Sequence, residues 1–460
     1  MQPVNRLPSE ILSQIARDVP TNSDGDARPI IPLTHVCQYW RDSIISTPEH
    51  WTLISSRSRR LAALSLERAK AAPLKLTIHY GTKPHWLPDL LVPCIQNTEV
   101  LSIGCSSATE LKKILPNFPQ SMPSLRSLAL QSDGNWDRST DPSGSFAPTL
   151  KYLSLNTVPL YPSLRKIRSL TELFLSDSRF DLQLDTLLGF LEGNHSLTRA
   201  IIWIKFIRPS LRISQRRAAI KNRLRYLEIS GDGPMDGQAL ISNISLPKGA
   251  TLNVNCYGGD VTANDVLSGI STTHLSNLLS PTSMEYCTYT GTVELLGPNG
   301  IVSFRSYHRS DTPFIEFPRL PLASIREFRL DNWRWKSIIP SPPDPEVFHH
   351  LSSFPALETF TIRSDNDLSH VLSPLLSDPS TSPCLKTLRF WDCILTEEFM
   401  ERLTRFASDR KNTASAWLHR VVIVDREGNF PSMASVHRLK EHVVDVRIVT
   451  ELPKDLTREV

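Results

Sequence analysis

Residues 150–155, Leu150-Lys151-Tyr152-Leu153-Ser154-Leu155, carry a spacing that returns along the whole chain. We call it the leucine word: an apolar residue followed by two others, three and five positions later. In a β-strand, alternate residues face the same side. The second and third apolar residues of the word therefore point together, and each word predicts a short strand with one buried face.

Copies of the leucine word follow one another at a regular distance. The N-terminal copies begin at Leu125, Leu150, Leu170, Leu197 (degenerate) and Leu224, and the C-terminal copies begin at Ile325, Leu357, Leu385 and Leu418. Within each of these two sets, the first residues are 20 to 33 positions apart. The early gaps lie within the range of leucine-rich repeats and the later gaps slightly exceed it.

Helical patterns fill the stretches between the words. Leu184, Leu187, Leu188 and Leu191 form one apolar stripe that Gly193 ends. Thr396 opens another helix, with Phe399, Leu403 and Phe406 facing inward and Arg410 and Lys411 near its end. Strands alternating with helices at this period predict an α/β solenoid, an irregular leucine-rich-repeat horseshoe with a parallel sheet.

The repeat pattern is interrupted in the middle of the chain. Residues 231–320 give no repeat register. Thr292 to Phe304 instead predicts a hairpin whose turn is Gly297-Pro298-Asn299-Gly300. An interruption of the solenoid is expected there.

The N-terminal segment has a different, helical pattern. Leu7, Ile11, Leu12, Ile15 and Val19 share one face of a helix, and Pro8 stands just inside its start. A second helical run contains Leu33, Val36, Cys37, Trp40 and Ile44 and ends at Pro48. So short a segment does not bury all this apolar surface by itself, so a partner or the rest of the chain must cover part of it.

The predicted organisation has three parts. Residues 1–55 form a small helical domain, residues 56–96 a bridging helix (Leu61 to Ala72) with a first strand (Leu74 to Ile78), and residues 97–460 the solenoid.

Composition excludes several classes of protein. The net charge is +4, which gives no case for nucleic-acid binding. The 7 cysteines are scattered without Cys-x-x-Cys spacing, and no apolar run suits a signal peptide or a membrane span. The expected setting is the cytoplasm or nucleus. No catalytic, cofactor-binding or metal-binding motif is present, so we expect a protein that is not an enzyme.

The ordered combination of Leu7-Pro8, Glu10-Ile11-Leu12, Val36-Cys37, Trp40-Arg41 and Pro48-x-x-Trp51 resembles an F-box. This is the adaptor-binding motif of substrate receptors in cullin-RING ubiquitin ligases. The variant is similar to that of fungal, basidiomycete-type F-box-like proteins with leucine-rich repeats.

The resemblance implies a substrate-recognition subunit of a Skp-cullin-F-box ubiquitin ligase. The helical domain would bind a Skp-family adaptor and, through it, a cullin, and the repeats would bind a protein substrate. The positions that match the motif are Leu7, Pro8, Ile11, Leu12, Val36, Cys37 and Trp40. Two alternatives stay open: a non-ligase scaffold whose N-terminal helices cap the solenoid, and a receptor that binds the adaptor but no cullin.

Substrate would meet the concave strand face of the horseshoe, where residues alternate with the buried leucines. Aromatic and arginine side chains are enriched at interface hot spots. On that basis the predicted substrate-binding residues are Phe174, Trp203, Tyr226, Arg329, Arg363, Arg389 and Trp391.

Overall fold

The computed structural model describes most of the chain. The described residues are 7–19, 30–79, 95–115, 121–133, 148–160, 164–178, 182–204, 207–208, 218–219, 223–231, 240–241, 243–257, 280–287, 292–306, 322–332, 351, 354–364, 368, 372–378, 380–412, 417–424 and 431–449. They divide between two compact units, Met1–Ser214 with Ile220–Leu224 and Gln215–Ala219 with Arg225–Val460. The predicted boundaries after residues 55 and 96 both fall inside the first unit.

The first unit begins with short helices. They are α1 (Ser9–Asp18), a 3-10 helix (Pro32–His35), α2 (Gln38–Ser46) and a second 3-10 helix (Pro48–Trp51). The predicted second run is therefore not one continuous helix. Cys37 is extended, with φ −160° and ψ 173°, and separates the 3-10 helix from α2. Pro8 precedes α1 rather than lying in it, and its carbonyl accepts the N–H of Leu12 at 3.1 Å.

Parallel strands and return helices make up the rest of this unit. In chain order they are β1 (Leu53–Ser55), α3 (Arg59–Ala69), β2 (Leu74–Ile78), β3 (Thr98–Cys105), α4 (Ala108–Ile114), β4 (Ser127–Ser132), β5 (Tyr152–Asn156), β6 (Glu172–Ser178), β7 (Leu182–Gln183), α5 (Leu184–Gly193), β8 (Arg199–Ile204) and β9 (Ile207–Arg208). The sheet runs β1-β2-β3-β4-β5-β6-β8, all parallel. It begins one strand earlier than predicted, since β1 precedes the bridging helix.

The leucine words lie side by side in this sheet. Leu128, Leu153, Leu173 and Ala200 occupy directly opposite positions on β4, β5, β6 and β8. All of them are buried, as are the first residues of the same words. Burial of a leucine side chain contributes about 1.5–3 kcal/mol, so the stacked words are a major stabilising part of this unit. The predicted burial of the leucine words is confirmed.

The second unit also consists mainly of strands with helices between some of them. Its elements are β10 (Ala218–Ala219), β11 (Tyr226–Gly231), β12 (Ile244–Ser245), β13 (Ala250–Cys256), β14 (Ser283–Cys287), β15 (Thr292–Gly297), β16 (Gly300–Ser306), β17 (Glu327–Asn332), β18 (Thr359–Ser364), α6 (Ser373–Ser377), β19 (Thr387–Trp391), α7 (Glu397–Asn412), β20 (Arg420–Val424), α8 (Met433–Lys440) and β21 (Asp445–Val449). The architecture is mixed α/β with mostly parallel strands, and in the described residues neither unit's sheet closes into a barrel. No described helix is both long and apolar enough to cross a membrane.

The sheet of the second unit is ordered β11-β13-β16-β15-β14-β17-β18-β19-β20-β21. Strand β15 is antiparallel to both of its neighbours, β14 and β16. After β13 the chain passes over two strand positions to form β14. Strands β15 and β16 then occupy these two positions, so that β16 pairs with β13. The β15–β16 pair is the hairpin predicted for Thr292 to Phe304, with Gly297 opposite Gly300 across the turn.

The buried row of the leucine words continues through β13, β14 and β16. The sequence did not reveal this continuation. Leu252 lies directly opposite Leu227, and Met284 lies opposite Phe328. The word was hidden because its first residue is not leucine in these strands, where Gly249, Pro281 and Asn299 occupy that place. Gly249 has φ +79°, a left-handed conformation that residues with a Cβ rarely adopt.

Gly249→Ala is expected to destabilise the protein by about 1–2 kcal/mol, because alanine is strained at positive φ. A Cβ at this position would have no atom within 4 Å, so steric overlap adds nothing to the loss. The matched control is Gly189→Ala in α5, where a Cβ also meets nothing within 4 Å but the backbone is helical. It should stabilise by about 0.5–1 kcal/mol. Urea unfolding of both variants measures these changes, and equal signs would contradict the interpretation.

Helix α7 begins and ends where the sequence predicts, and its last turn makes a contact that the sequence did not reveal. The Thr396 hydroxyl accepts the N–H of Phe399 at 3.2 Å and caps the helix as expected. Arg410 lies near the end of the helix, as predicted, and it is fully buried. Its guanidinium donates to the carbonyls of Ser382 at 3.3 Å and Leu385 at 3.1 Å, with further bonds to the carbonyls between and before them. Arg410 therefore fixes the turn that leads into β19.

Candidate interaction surfaces

The N-terminal helices have a core of their own. Leu12, Trp40 and Ile44 are buried, and the indole N–H of Trp51 donates to the carbonyl of Ile44 at 3.0 Å. The guanidinium of Arg68 on α3 lies 4.2 Å over the Trp51 ring. These contacts join α1, α2 and the second 3-10 helix to α3 in one packed cluster.

A polar contact in this cluster connects α1 to the second 3-10 helix. The Ser13 hydroxyl and a ring nitrogen of His50 are 3.2 Å apart. Burial, assisted by the nearby Arg17 charge, lowers the pKa of His50 from its usual value, while Glu49 opposes the shift. The neutral imidazole is therefore favoured, which suits a largely apolar core.

Large apolar side chains nevertheless remain exposed on these helices. Ile11 is 46% exposed, Val36 50% and Tyr39 39%. Pro8 is exposed as well, and the Tyr39 hydroxyl donates to the carbonyl of Leu7 at 3.0 Å, so α2 meets the start of α1 at this place. We name Pro8, Ile11, Val36 and Tyr39 the N-terminal apolar patch. An apolar group exposed beside a complete core is typical of a binding surface.

The structure sorts the seven predicted adaptor-binding residues by exposure. Pro8, Ile11 and Val36 are exposed, Leu7 and Cys37 are half-buried, and Leu12 and Trp40 are buried.

Leu12 and Trp40 therefore belong to the core of the helical cluster rather than to its surface. Cys37 is the residue preceding α2, not part of the apolar face of a helix as the spacing indicated. Sequence reasoning missed Tyr39, because it lies off the helical stripe and its tyrosine hydroxyl gave no signal.

The second surface is the sheet face of the second unit opposite the buried words. One row of residues lies across this face, each directly beside the next on the neighbouring strand. We name it the central row: Glu228, Asn253, Ser303, Glu294, Glu285, Arg329, Thr361, Arg389, Val422 and Arg447. Its carboxylates all precede its arginines, so the row is acidic towards β11 and basic towards β21.

Hydrogen bonds hold the β11 end of this face in place. The Tyr226 hydroxyl donates to Glu228 at 2.6 Å and accepts from the amide of Asn253 at 3.0 Å. The amide of Asn255 donates to Glu228 at 3.1 Å and to the Ser230 hydroxyl at 3.2 Å. These polar groups already form hydrogen bonds with one another. This end of the face is therefore a rigid surface rather than an open ligand-binding site.

Arginines dominate the face around β17, β18 and β19. Arg329 lies 3.8 Å from Glu285, and its guanidinium lies 4.7 Å over the ring of Trp391. Arg363 lies 3.8 Å from Asp331 and 3.5 Å from Asp392. We name Arg329, Arg363, Arg389 and Trp391 the arginine cluster.

Glu285 is an incomplete partner for Arg329. Burial raises the pKa of Glu285 from its usual value, although Arg329 acts in the opposite direction. The neighbouring Glu294 and Asp331 also raise this pKa. Glu294 lies directly opposite Glu285 on β15, and like charges in that position destabilise a strand pair. The charge of Arg329 is thus only partly compensated.

The predicted substrate-binding residues are divided between the units. Phe174 and Trp203 belong to the first unit, where Phe174 is half-buried and Trp203 is exposed. Tyr226, Arg329, Arg363, Arg389 and Trp391 all lie on the polar face of the second unit. Trp391 is only 8% exposed, so it supports Arg329 rather than offering its own ring to a partner.

Several members of this face were missed from the sequence. Glu285, Glu294 and Asn253 lie in the stretch where no repeat register could be assigned. The signal that would have found them is the alternation in β13 and β14, where Leu252, Val254, Met284 and Tyr286 are buried.

Comparison with known proteins gives no family for the chain. No protein-family model matches it, and no curated protein is similar to it in sequence. Functional interpretation therefore depends on the two surfaces.

Proposed function

We propose that the chain is a substrate-recognition subunit of a Skp-cullin-F-box ubiquitin ligase. The N-terminal helices dock a Skp-family adaptor, which connects to a cullin, and the repeat sheet presents a protein substrate. In this function the chain performs no chemistry itself, and it acts by holding the target near the ubiquitin donor.

The observation that carries the proposal is the exposed N-terminal apolar patch. Its members Pro8, Ile11 and Val36 match the F-box pattern and are exposed. Leu12 and Trp40 match the same pattern and are buried in the core of the helices. The helical segment has a buried core of its own, yet Ile11 is 46% exposed and Val36 50%. These exposed apolar side chains are available to a partner.

A specific observation favours a second candidate, the capped scaffold. Strand β1 follows the helices directly and pairs with β2, so the helical cluster is continuous with the sheet of the first unit. Repeat stacks need such end caps to cover their core. The helices could then serve stability alone.

A chain beginning at residue 48 separates the two functions, because it keeps β1 in the sheet while removing α1 and α2. Arg68 still covers one face of Trp51 in this chain. If the helices are a docking module, the shortened protein should stay monomeric and unfold cooperatively while losing adaptor binding completely. Size-exclusion chromatography and thermal unfolding measure this. Aggregation of the shortened protein, together with no adaptor binding by the full chain, would establish the cap and overturn the ligase proposal.

A further inference from the structure

We infer that Arg329 and Arg389 hold two carboxylates of an extended acidic segment of the target protein. This inference rests on the proposed function, since it names the chemistry of the substrate that the sheet of the second unit would present.

Arg389 is a half-buried cation that lacks a partner. Among the described residues it makes no hydrogen bond or ion pair. Its neighbours on the face are Thr361 and Val422 on the adjacent strands and Thr387 and Trp391 on its own strand. None of these side chains carries a negative charge. A charge removed from water without compensation is costly, so an incoming carboxylate would be bound favourably.

Arg329 is prepared for the same task. Its side chain is only 16% exposed, and its Nε is buried without a hydrogen-bond partner. Stacking on Trp391 fixes the plane of the guanidinium, which reduces the entropy lost when a planar carboxylate binds. The remaining charge partner, Glu285, is 3.8 Å away, beyond hydrogen-bond distance.

Arg363 has a different role, although it lies between these two arginines on β18. Its Nε is also buried without a hydrogen-bond partner, but two carboxylates, Asp331 and Asp392, already lie within 4.0 Å of it. It contributes to the rigidity of the cluster and leaves little charge for a ligand. The structure thus selects two of the three predicted arginines.

The positions of Arg329 and Arg389 define the ligand. They stand in the central row on either side of Thr361, which places their backbones two strands, about 9–10 Å, apart. Long arginine side chains can converge from this distance. In an extended peptide, residues i and i+2 point to the same side about 7 Å apart. The ligand we expect is therefore an extended segment with carboxylates at alternate positions.

Fluorescence anisotropy of a labelled peptide tests the inference on the full chain. The probe is Gly-Ser-Thr-Glu-Thr-Glu-Thr-Ser-Gly, and its counterpart carries glutamine in place of both glutamates. Arg389→Gln is expected to weaken binding of the glutamate probe by about 10- to 100-fold, the loss of a charge-assisted hydrogen bond. Arg389→Lys keeps the charge but not the planar fork, so an intermediate loss is expected.

Arg420→Gln is the matched control. Arg420 lies on the same face on the next strand, but it already pairs with Asp445 at 2.8 Å. Its replacement should change affinity by less than about threefold. Equal losses for Arg389→Gln and Arg420→Gln, equal binding of the two wild-type peptides, no binding of the glutamate probe, or binding only after phosphorylation of the threonines would each overturn the inference. A melting temperature that Arg389→Gln does not lower confirms that the variant is folded.

Failure here and failure of the proposed function can be told apart. Arg389→Gln leaves the N-terminal apolar patch intact, so adaptor binding should be unaffected. Peptide binding without adaptor binding would leave an acidic-segment receptor outside any ligase. Adaptor binding without peptide binding would leave the ligase proposal standing and remove the arginine site.

Discussion

Arg410→Met should destabilise the second unit by about 3–4 kcal/mol. Arg410 is fully buried and donates to the backbone carbonyls of Thr381, Ser382, Pro383 and Leu385. Methionine fills a similar space but cannot donate, so buried carbonyls lose their partners, each at a cost of about 1–3 kcal/mol.

The turn that Arg410 holds is itself strained. Ser382 has φ +54°, and it is buried with its hydroxyl donating to the carbonyl of Leu351 at 3.1 Å. Such a conformation persists only where the surroundings fix it. The turn leads into β19, which carries Arg389 and Trp391. Loss of Arg410 is therefore expected to weaken peptide binding as well as stability.

Urea unfolding measures the effect, and Arg405→Met is the control. Arg405 is exposed on the same helix, so the same chemical change there should stay within about 0.5 kcal/mol. A similar loss from both variants would mean that the cost lies in the helix and not in the turn. Burial lowers the pKa of Arg410 from its ordinary value, but the side chain stays charged at physiological pH.

The Ile11→Glu/Val36→Glu double variant should bind a Skp-family adaptor at least about 100-fold more weakly than the wild type. Each substitution replaces an exposed apolar side chain of the N-terminal apolar patch by a charge, and loss of a hot-spot side chain costs about 2 kcal/mol or more. Both residues are about half exposed, so the free energy of unfolding should barely change. Isothermal titration calorimetry with a purified adaptor measures the affinity.

Two controls give this experiment its meaning. Ile394→Glu/Val444→Glu makes the same chemical change at exposed apolar residues of the second unit and should leave adaptor affinity as it is. Leu12→Ala should cost about 2–5 kcal/mol of stability, because it opens a cavity in the core of the N-terminal helices. Full adaptor affinity in the Ile11→Glu/Val36→Glu variant would exclude the patch as the docking surface.

The repeating part of the fold could be predicted from the sequence because its signal is redundant. Each of the nine leucine words named above lies in a strand, and its apolar residues are buried. The words of β13 and β14 were missed because Gly249 and Pro281 stand first. Gly249 provides the positive φ that the chain needs at this position. A periodic pattern of apolar residues carries no information about that backbone conformation.

The candidate surfaces were predictable only in outline. Residue types and alternation identified Arg329 and Arg389, but nothing in the sequence distinguished them from Arg363. That difference comes from Asp331 and Asp392, which pair with Arg363 through the register of β17, β18 and β19 and the turn after β19. The same holds at the N-terminus, where periodicity grouped Ile11 with Leu12 although one is 46% and the other 1% exposed.

The most direct test of the central claim is calorimetric titration of the purified wild-type chain with a fungal Skp-family adaptor. The proposed function predicts one-to-one binding that the Ile11→Glu/Val36→Glu variant loses and the Ile394→Glu/Val444→Glu variant retains. No binding by a folded, monomeric wild-type chain would contradict the ligase function and make the capped scaffold the better account.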